Sequence, residues 1–384
     1  MRPSARDGLI HFDAGADALV QDLADLVRRE SPSEDAGGVA SLAAWIRDRL
    51  RSRGVRAESV PCPPCGDAVL ASVGGGGGTL LLGHLDTVWP RGAWGPDPFR
   101  IEGDLARGPG VFDMKAGIAV AMAALGVLGR EADPPPVSML LVPDEEIGTG
   151  ASRVLLLDTA RAHDRVLVLE PSLDGAAKVA RKGTGLFRLA FTGRAAHAGL
   201  EPEKGASALA EMARAVPVLE SLANVAKGTT VTPTLARAGS ASNVVPEAAE
   251  LTVDVRVWTE AEALRVDTAV RAVRPADSRV AIAVEGGFDR PPLEPSADAQ
   301  ALYASARGIA RELGFDLEAE RVGGASDGNL TAAAGIPTLD GLGPRGGGAH
   351  ARDEHVLLSD LPRRAALLLA LSRLPPPGPR SAAQ

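Results

Sequence analysis

The stretch Leu-Leu-Val-Pro-Asp-Glu-Glu-Ile-Gly-Thr-Gly, residues 140–150, runs from an apolar segment into three consecutive acids. Residues 137–142 predict a buried strand, because the mostly apolar run is short and follows a cluster of prolines. The acids are Asp144, Glu145 and Glu146, and like charges at the end of a buried strand resist ionising together. A solvated turn would explain an isolated triplet, since most clustered acids are structural. The rest of the chain favours a compensating positive charge at this position.

Two further predicted strands also end in a histidine or an acid. Residues 79–83 lead into His84, and the strand period of two places Asp86 on the same face as that histidine. Residues 165–169 lead into Glu170. Because ligands of open α/β sheets gather at the carboxyl ends of strands, we expect these side chains and the acid triplet to meet.

Length and composition are those of a globular protein with two domains. The chain has 384 residues, of which 45% are hydrophobic and 23% are charged. A net charge of −8 and an aromatic content of 3% give no sign of a nucleic-acid or anionic-membrane partner. No apolar run reaches the roughly 18–20 residues of a membrane span, and residues 1–11 lack the apolar core of a secretory signal. We therefore expect a cytoplasmic protein.

Three local patterns are interpreted as structural. The pair Cys62 and Cys65 has no second pair and no redox-type βαβ context, so incidental thiols on a surface loop are favoured over a redox pair or half a zinc site. Five glycines at residues 74–78 lack the ending of a phosphate-binding loop and predict a flexible hairpin turn. The proline- and serine-rich residues 375–384 are predicted to be disordered.

From about residue 184 the order of predicted elements changes. Six elements follow as strand, helix, strand, strand, helix and strand, at residues 186–192, 207–222, 229–238, 249–257, 261–273 and 279–284. That order is the split βαβ, or ferredoxin-like, arrangement. We therefore predict a mixed-sheet α/β domain formed by residues 1–183 and 290–384, interrupted by an inserted ferredoxin-like domain at residues 184–289.

Two histidines and three acids make up a ligand set for two metal ions: His84, Asp113, Glu146, Glu170 and His350. Histidine nitrogen together with carboxylate oxygen suits zinc, with cobalt or manganese as alternatives. One carboxylate that bridges two ions about 3.5–4 Å apart leaves each ion one histidine and one terminal acid. Asp113 taken alone would instead be explained as the N-cap of the alanine-rich helix that follows it.

This arrangement divides the acid triplet between different tasks. Glu146 is neutralised by metal, whereas Glu145 stays off the metal, where a carboxylate beside metal-bound water can act as a general base. The ions lower the pKa of that water towards neutrality, and Glu145 takes its proton. Neither cysteine has a histidine nearby in sequence, which makes covalent catalysis through a thiol the weaker hypothesis.

Five motifs stand in the order seen in the co-catalytic zinc peptidases, the family that includes acetylornithine deacetylase, succinyl-diaminopimelate desuccinylase and glutamate carboxypeptidase. They are His84-Leu85-Asp86-Thr87-Val88, Asp113-Met114-Lys115, Asp144-Glu145-Glu146-Ile147-Gly148, Glu170-Pro171 and Gly348-Ala349-His350. The resemblance covers nearly the whole chain and is greatest to the glutamate carboxypeptidase branch. It implies a zinc carboxypeptidase or amidohydrolase that releases a C-terminal amino acid, with glutamate favoured, from a peptide or N-acyl amino acid.

The resemblance also assigns the ligands to two zinc ions per subunit. Asp113 would bridge the two ions and precede a cis peptide bond. His84 and Glu170 would complete one ion, and Glu146 and His350 would complete the other.

Beside the metals, the resemblance implies that Asp86 orients His84 and that Glu145 is the general base. His355 would be a neighbour rather than a ligand, because His350 has the glycine-rich lead-in of the family. An acid, Glu354, follows His350 in the same segment.

The inserted domain resembles the lid of that family, which also serves as a homodimer surface. His197 is expected to reach across the dimer and polarise the scissile carbonyl, while Asn243 and Arg256 hold the substrate. Lys178 and Arg290 stand where the branch binds a glutamate-like carboxylate, and an Arg fork suits such a group. A solvated charge at a domain hinge is the alternative for both cations.

Gly324 is expected to line the substrate pocket as well. Its loop, residues 323–327, carries Ala325 and Ser326 where the commonest form in the family has Gly and Thr. Two other functions stay open: a deacylase or desuccinylase of N-acyl amino acids with the same chemistry, and a non-catalytic module that holds an amino acid in the same pocket.

Overall fold

The computed structural model describes residues 4–376 and consists of two compact units. The first unit comprises the chain up to Val179, then Pro295–Arg321, and the chain from Ser326 onward. The second comprises Ala180–Glu294 together with Val322–Ala325. The predicted inserted domain, residues 184–289, lies inside the second unit. Most of the tail that was predicted to be disordered, from residue 377 on, lies outside the described residues.

Helices and strands have the following bounds. The helices are α1 (Ala5–Ala14), α2 (Ala16–Arg28), α3 (Ala36–Arg51), α4 (Ala116–Leu128), α5 (Arg153–Arg161), α6 (Ala208–Glu220), α7 (Glu260–Arg271), α8 (Ala297–Glu312), α9 (Gly328–Ala333) and α10 (Leu361–Ser372). The strands are β1 (Arg56–Pro61), β2 (Asp67–Val73), β3 (Thr79–His84), β4 (Arg100–Glu102), β5 (Leu105–Arg107), β6 (Val137–Val142), β7 (Arg165–Val168), β8 (Ala177–Arg181), β9 (Gly183–Thr192), β10 (Thr230–Ala238), β11 (Ala248–Val257), β12 (Ala281–Arg290), β13 (Ala319–Val322), β14 (Thr338–Leu339), β15 (Gly346–Gly347) and β16 (His355–Leu357).

The first unit is built on a mixed six-stranded sheet in the order β1-β2-β6-β3-β7-β14. Strands β6, β3, β7 and β14 are parallel, and β1 and β2 run antiparallel at one edge. Alternate residues of β3 enter separate apolar clusters, Leu81 in one and Leu80 and Leu82 in the other, so both faces of the sheet are covered. The predicted mixed-sheet α/β class is confirmed, and the carboxyl ends of β6, β3 and β7 lie at the same edge of the sheet.

The prediction of a hairpin turn at residues 74–78 is wrong. Strand β6 lies between β2 and β3, so the glycine run passes across the end of β6 instead of joining neighbours. A Cβ atom on Gly74 would lie 2.3 Å from the Pro135 carbonyl oxygen, and one on Gly78 would lie 2.1 Å from that of Pro136. Both glycines also have positive φ angles, which side chains disfavour. Glycine is therefore needed here for a close crossing of backbones.

Helix α4 is the core helix behind the sheet. Within residues 4–376, one window, Val111–Leu128, is long and apolar enough to cross a membrane, which corrects the expectation that no segment has that length. Asp113 and Lys115 interrupt the apolar run near its start, and 83% of the window is buried, as in a core helix. A Cβ atom on Gly117 would lie 2.1 Å from the Leu169 carbonyl oxygen, so glycine lets α4 pack directly on the end of β7.

The two cysteines were expected on a surface loop, but the structure buries both of them. Cys62 and Cys65 are free thiols that are 4% and 9% exposed. The Cys65 amide donates to the Cys62 carbonyl at 2.9 Å, so the pair closes a tight turn. Burial raises the pKa of both thiols, as expected of cysteines that act as small apolar residues.

The second unit confirms the split βαβ prediction. Its elements follow in the order β9, α6, β10, β11, α7 and β12, and its antiparallel sheet has the order β10-β11-β9-β12. Phe187, Leu189 and Phe191 on one side of β9 are buried with α6 and α7, whereas Leu186 on the other side is 55% exposed. One face of the sheet therefore carries the core.

Glu262, in the first turn of α7, is the centre of a charged cluster in this unit. Its carboxylate accepts hydrogen bonds from Lys227 Nζ at 2.7 Å, Thr229 Oγ1 at 2.9 Å and Arg265 at 2.7 Å. The Arg265 contact, followed by that of Lys227, lowers the pKa of Glu262 to about 2 against the opposing effect of burial. The ionised form is thus stabilised in the folded protein.

We expect Glu262→Gln to lower the free energy of unfolding at pH 7 by about 1–2 kcal/mol, after allowance for screening by solvent. Because the pKa falls from 4.5 to about 2 on folding, this contribution is complete above about pH 4.5 and is lost as the pH drops towards 2. Urea unfolding of the full chain at several pH values measures it. Glu260→Gln, on the same helical turn, is the matched control, and equal stability of the two variants at pH 7 would contradict the assignment.

Candidate metal centre

Five side chains from five separate segments meet beyond the carboxyl edge of the six-stranded sheet: His84, Asp113, Glu146, Glu170 and His350. Asp113 is in the middle. Its Oδ1 lies 3.2 Å from His84 Nε2, and its Oδ2 lies 3.4 Å from His350 Nε2. The two histidines therefore face different oxygens of one carboxylate.

The Nε2 atom of each histidine also lies near one further acid. Glu170 Oε1 lies 3.6 Å from His84 Nε2, and Glu146 Oε1 lies 3.2 Å from His350 Nε2. Ligand atoms of His84, Asp113 and Glu146 all lie within 4.8 Å of one another. Glu170 therefore pairs with His84 and Glu146 with His350, while the tightest set of three ligands, His84, Asp113 and Glu146, takes one member from each pair. Such a donor set could hold two divalent ions.

The charges of these groups are strongly interdependent. Burial opposes protonation of His84, yet the carboxylates of Asp113 and Asp86 outweigh it and hold its pKa well above the usual range. Contacts with Asp113 and Glu146 raise the pKa of His350 to about 10. Burial acts to raise the pKa of Asp113, but the two histidines prevail and hold it well below the usual range. The cluster therefore concentrates negative charge that attracts cations.

Asp86 links His84 to the acid loop. His84 Nδ1 lies 3.0 Å from the Asp86 carbonyl oxygen and 3.4 Å from Asp86 Oδ1, so the other ring nitrogen faces Asp113. The two carboxylate oxygens of Asp86 also accept the backbone N–H groups of Glu145 and Glu146, at 3.1 Å each. Ser33 Oγ donates to it at 2.8 Å. The period of two along the strand predicted the first contact, but nothing local predicted the others.

The three acids of the triplet differ in burial and in their partners. Asp144 is fully buried and accepts hydrogen bonds from the Ser152 hydroxyl and from the Ala151 N–H at 2.7 Å. Glu145 and Glu146 are half-buried. The charge of Asp144 is therefore compensated by local donors, whereas Glu146 is compensated by His350.

Asp113 is not the N-cap of the following helix, which was its alternative explanation. Helix α4 begins at Ala116, its N-cap position is Lys115, and no side chain caps it. The peptide bond between Asp113 and Met114 is cis, as the resemblance implied.

Two buried charges beside the cluster were not among the predicted site residues. Glu354 has no exposed surface and accepts four N–H groups, including that of Asp113. Burial raises its pKa, although these donors act in the opposite direction. Lys115 is 1% exposed, donates to the Arg29 carbonyl at 3.1 Å, and has its pKa lowered to about 7 by burial. The spacing of Glu354, four residues after His350, was the available signal.

Residues 324–328, Gly-Ala-Ser-Asp-Gly, have the Gly-x-Ser-x-Gly spacing of a nucleophile elbow. Ser326 is fully buried, and its hydroxyl donates to Asp340 Oδ2 at 2.6 Å and accepts the Gly328 N–H at 3.1 Å. A hydroxyl enclosed in this way is not placed to attack a substrate, so the serine is structural.

Three predicted substrate residues lie in the second unit. His197 is exposed, and its Nδ1 accepts the N–H groups of Gly199 and Leu200 at 3.1 Å each, which leaves the proton of the neutral ring on Nε2. The carbonyl of Asn243 accepts the N–H of Ala198 at 2.9 Å, so these two segments are adjacent. The guanidinium of Arg256 makes two hydrogen bonds to Asp254, at 2.9 and 2.8 Å.

The remaining predicted residues are placed as follows. Lys178, in the first unit, is half-buried and forms a backbone bridge with Asp340. Arg290, at the end of β12 in the second unit, is only 5% exposed, so it is not the solvated charge of the alternative reading. The Gly324 carbonyl accepts a hydrogen bond from Arg181 at 3.2 Å.

Comparison with known proteins gives one family. Residues 80–373 match the model of peptidase family M20/M25/M40. Carboxypeptidase G2 of Pseudomonas sp. (strain RS-16) is 32% identical over 377 residues, covering 94% of this chain and 90% of its own length. Acetylornithine deacetylase of Proteus mirabilis (strain HI4320) is 33% identical over 188 residues, 47% of each chain. Aminopeptidase PepT from Bacillus cereus ATCC 10987, a solved structure, has a TM-score of 0.77 at 21% identity, covering 93% of this chain and 97% of its own, and supports the fold.

Proposed function

This chain belongs to peptidase family M20/M25/M40 and is a metal-dependent hydrolase, and from that premise we propose that it is a dinuclear zinc enzyme that cleaves an amide bond to release a C-terminal amino acid. The observation that carries the proposal is the position of Asp113, whose Oδ1 faces His84 and whose Oδ2 faces His350. A single ion needs no such division of one carboxylate.

Asp113 would bridge the ions, with His84 and Glu170 on one and Glu146 and His350 on the other. Two imidazoles and three carboxylates are the donor types that zinc takes in catalytic sites, and cobalt or manganese would be accepted as well. When bound, the ions would lower the pKa of a water molecule and polarise the scissile carbonyl.

Glu145 would act as the general base. It is half-buried next to Glu146, and its backbone N–H donates to Asp86. This hydrogen bond fixes the position of the Glu145 backbone beside the proposed ligands. As the base, Glu145 takes a proton from the attacking water and returns it to the leaving amine. His197, whose neutral ring carries its proton on Nε2, is suited to donate a hydrogen bond to the carbonyl oxygen as negative charge develops there.

Glutamate is the favoured product. Arg290 is a buried guanidinium and Lys178 a half-buried ammonium, and both suit the recognition of a carboxylate. The name of the full-length relative, carboxypeptidase, supports release of a C-terminal residue. The runner-up is a deacylase of N-acyl amino acids, supported by the match to acetylornithine deacetylase over about half of the chain.

We also propose a homodimer formed through the second unit, and a cytoplasmic location remains a prediction from sequence. Strand β10 forms one edge of its sheet, and its last five residues are exposed, including Leu235 at 66%. An exposed edge strand is a template for pairing with a second chain. The exposure of His197 suits a residue that serves a neighbouring site.

A panel of zinc-loaded hydrolysis assays tests the substrate. One acyl group linked to glutamate or to glutamine provides a matched pair, and N-acetylornithine and N-succinyl-diaminopimelate represent the runner-up. We expect kcat/KM for the glutamate substrate to exceed that for glutamine by about 10–100-fold, because the glutamine amide lacks the negative charge that a cation in the site would recognise. Preference for the diamino acids would support the deacylase, and absence of metal-dependent hydrolysis across the panel would favour the binding module.

A further inference from the structure

We propose that Glu354 is a positioning residue that holds the backbone at Asp113 and so aligns the shared carboxylate between the two halves of the metal centre, an inference that rests on the proposed function. Each oxygen of Glu354 accepts two hydrogen bonds. Oε1 accepts from the N–H groups of Phe112 at 3.0 Å and Asp113 at 3.1 Å. Oε2 accepts from Trp89 Nε1 at 2.7 Å and from the Gly110 N–H at 3.1 Å.

This one carboxylate ties together three segments that supply ligands. Trp89 is five residues after His84, Asp113 is itself a contact, and Glu354 is four residues after His350. The loop with His350 and Glu354 is closed at its base by pairing of β15 with β16. Arg352 on that loop stacks over the Trp89 ring, 5.2 Å from its centroid. Displacement of Glu354 would therefore affect all three segments together.

The backbone at Asp113 is a sensitive position, because both oxygens of its side chain are used. Oδ1 faces His84 and Oδ2 faces His350, so a rotation of this residue that favours one group of donors moves the other oxygen away. Substitution of a residue that hydrogen-bonds to a metal ligand typically lowers metal affinity by about 10–100-fold. The bond from the Asp113 N–H to Glu354 opposes such a rotation directly.

Only an ionised carboxylate satisfies all four partners, since every one of them is a donor. In Glu354→Gln the amide N–H₂ group must face one pair of these N–H groups and leaves that pair without an acceptor. Glu354→Asp keeps the charge but shortens the side chain by one methylene, so it can reach only part of the set. The aspartate variant is therefore expected to restore part of what glutamine loses.

Titration of the metal-free full chain with Co²⁺, followed by visible absorption and by equilibrium dialysis, tests the proposal. We expect the wild-type protein to bind two ions and Glu354→Gln to bind one of them about 10–100-fold more weakly, with an altered absorption spectrum and partial recovery in Glu354→Asp. Asp353→Asn, an exposed acid next in the chain, is the matched control and should match wild type.

The outcomes are separable. If the wild-type protein binds no pair of ions, the proposed function itself fails. If it binds two and folded Glu354→Gln binds them with unchanged affinities and spectrum, Glu354 is merely structural and the inference is overturned, even if thermal stability falls.

A second pair of variants carries the same test if Glu354→Gln does not fold. Trp89→Phe removes the bond from Nε1 to Glu354 and keeps an aromatic ring against Arg352 and Trp94, and several-fold weaker binding of one ion is expected. Trp94 packs edge-on against Trp89, and its Nε1 has no hydrogen-bond partner in the described chain, so Trp94→Phe is the control. Equal affinities in Trp89→Phe and Trp94→Phe would overturn the inference.

Discussion

Glu145→Gln is expected to keep two zinc ions per chain and to lose about 10³–10⁴-fold in kcat. Glutamine has nearly the same size and leaves the five proposed ligands untouched, but its amide cannot take a proton from water at neutral pH. General-base catalysis contributes a factor of about this size. KM should change little, because the lost interaction belongs to proton transfer and not to substrate binding.

Metal analysis and steady-state kinetics on the same preparation are the measurements. Glu58→Gln, an exposed glutamate on edge strand β1, is the control for removal of one acidic charge and should retain full activity. A Glu145→Gln enzyme with more than about a tenth of wild-type kcat would rule out the assigned base. Loss of zinc in this variant would instead show that Glu145 is a ligand.

Asp113→Ala is expected to lose both ions at once, with zinc content falling from two per chain to nearly none. The reason is geometric, since its two oxygens face His84 and His350 separately, and both groups of donors lose their shared member. His350→Ala should lose chiefly the ion that it shares with Glu146. The comparison of these two variants separates a bridging role from a terminal one.

The measurement is the zinc content of each variant after dialysis against buffer with a trace concentration of zinc. Circular dichroism confirms that the variants are folded. His355→Ala is the control, because His355 is a neighbouring histidine whose Nδ1 lies 2.9 Å from the Asp353 carbonyl oxygen. Retention of one tightly bound ion by Asp113→Ala would contradict the bridge.

The residues at the ends of the strands could be predicted from the sequence. Short apolar runs marked β3, β6 and β7, and the residues after them, His84, the acid triplet and Glu170, were expected to meet because parallel strands end at one edge. The order of elements in the second unit followed from the same periodicity. These features depend on residues within a few positions of one another.

Which strands pair with each other in the sheet could not be predicted in this way. Residues 74–78 looked like a hairpin because glycines separate two apolar runs, but β6 inserts between those strands from about sixty residues further on. Cys62 and Cys65 were expected on a surface loop because no second pair and no redox-type context accompanies them, yet packing buries both.

The amino-acid pattern specified which residue types stand at the end of each strand, because strand period and burial are encoded within a few positions. Packing alone specified which oxygen of Asp113 faces which histidine, and that Glu354 holds the Asp113 amide. Those contacts join residues 29 and 241 positions apart, and their distances depend on how the whole unit closes around its core.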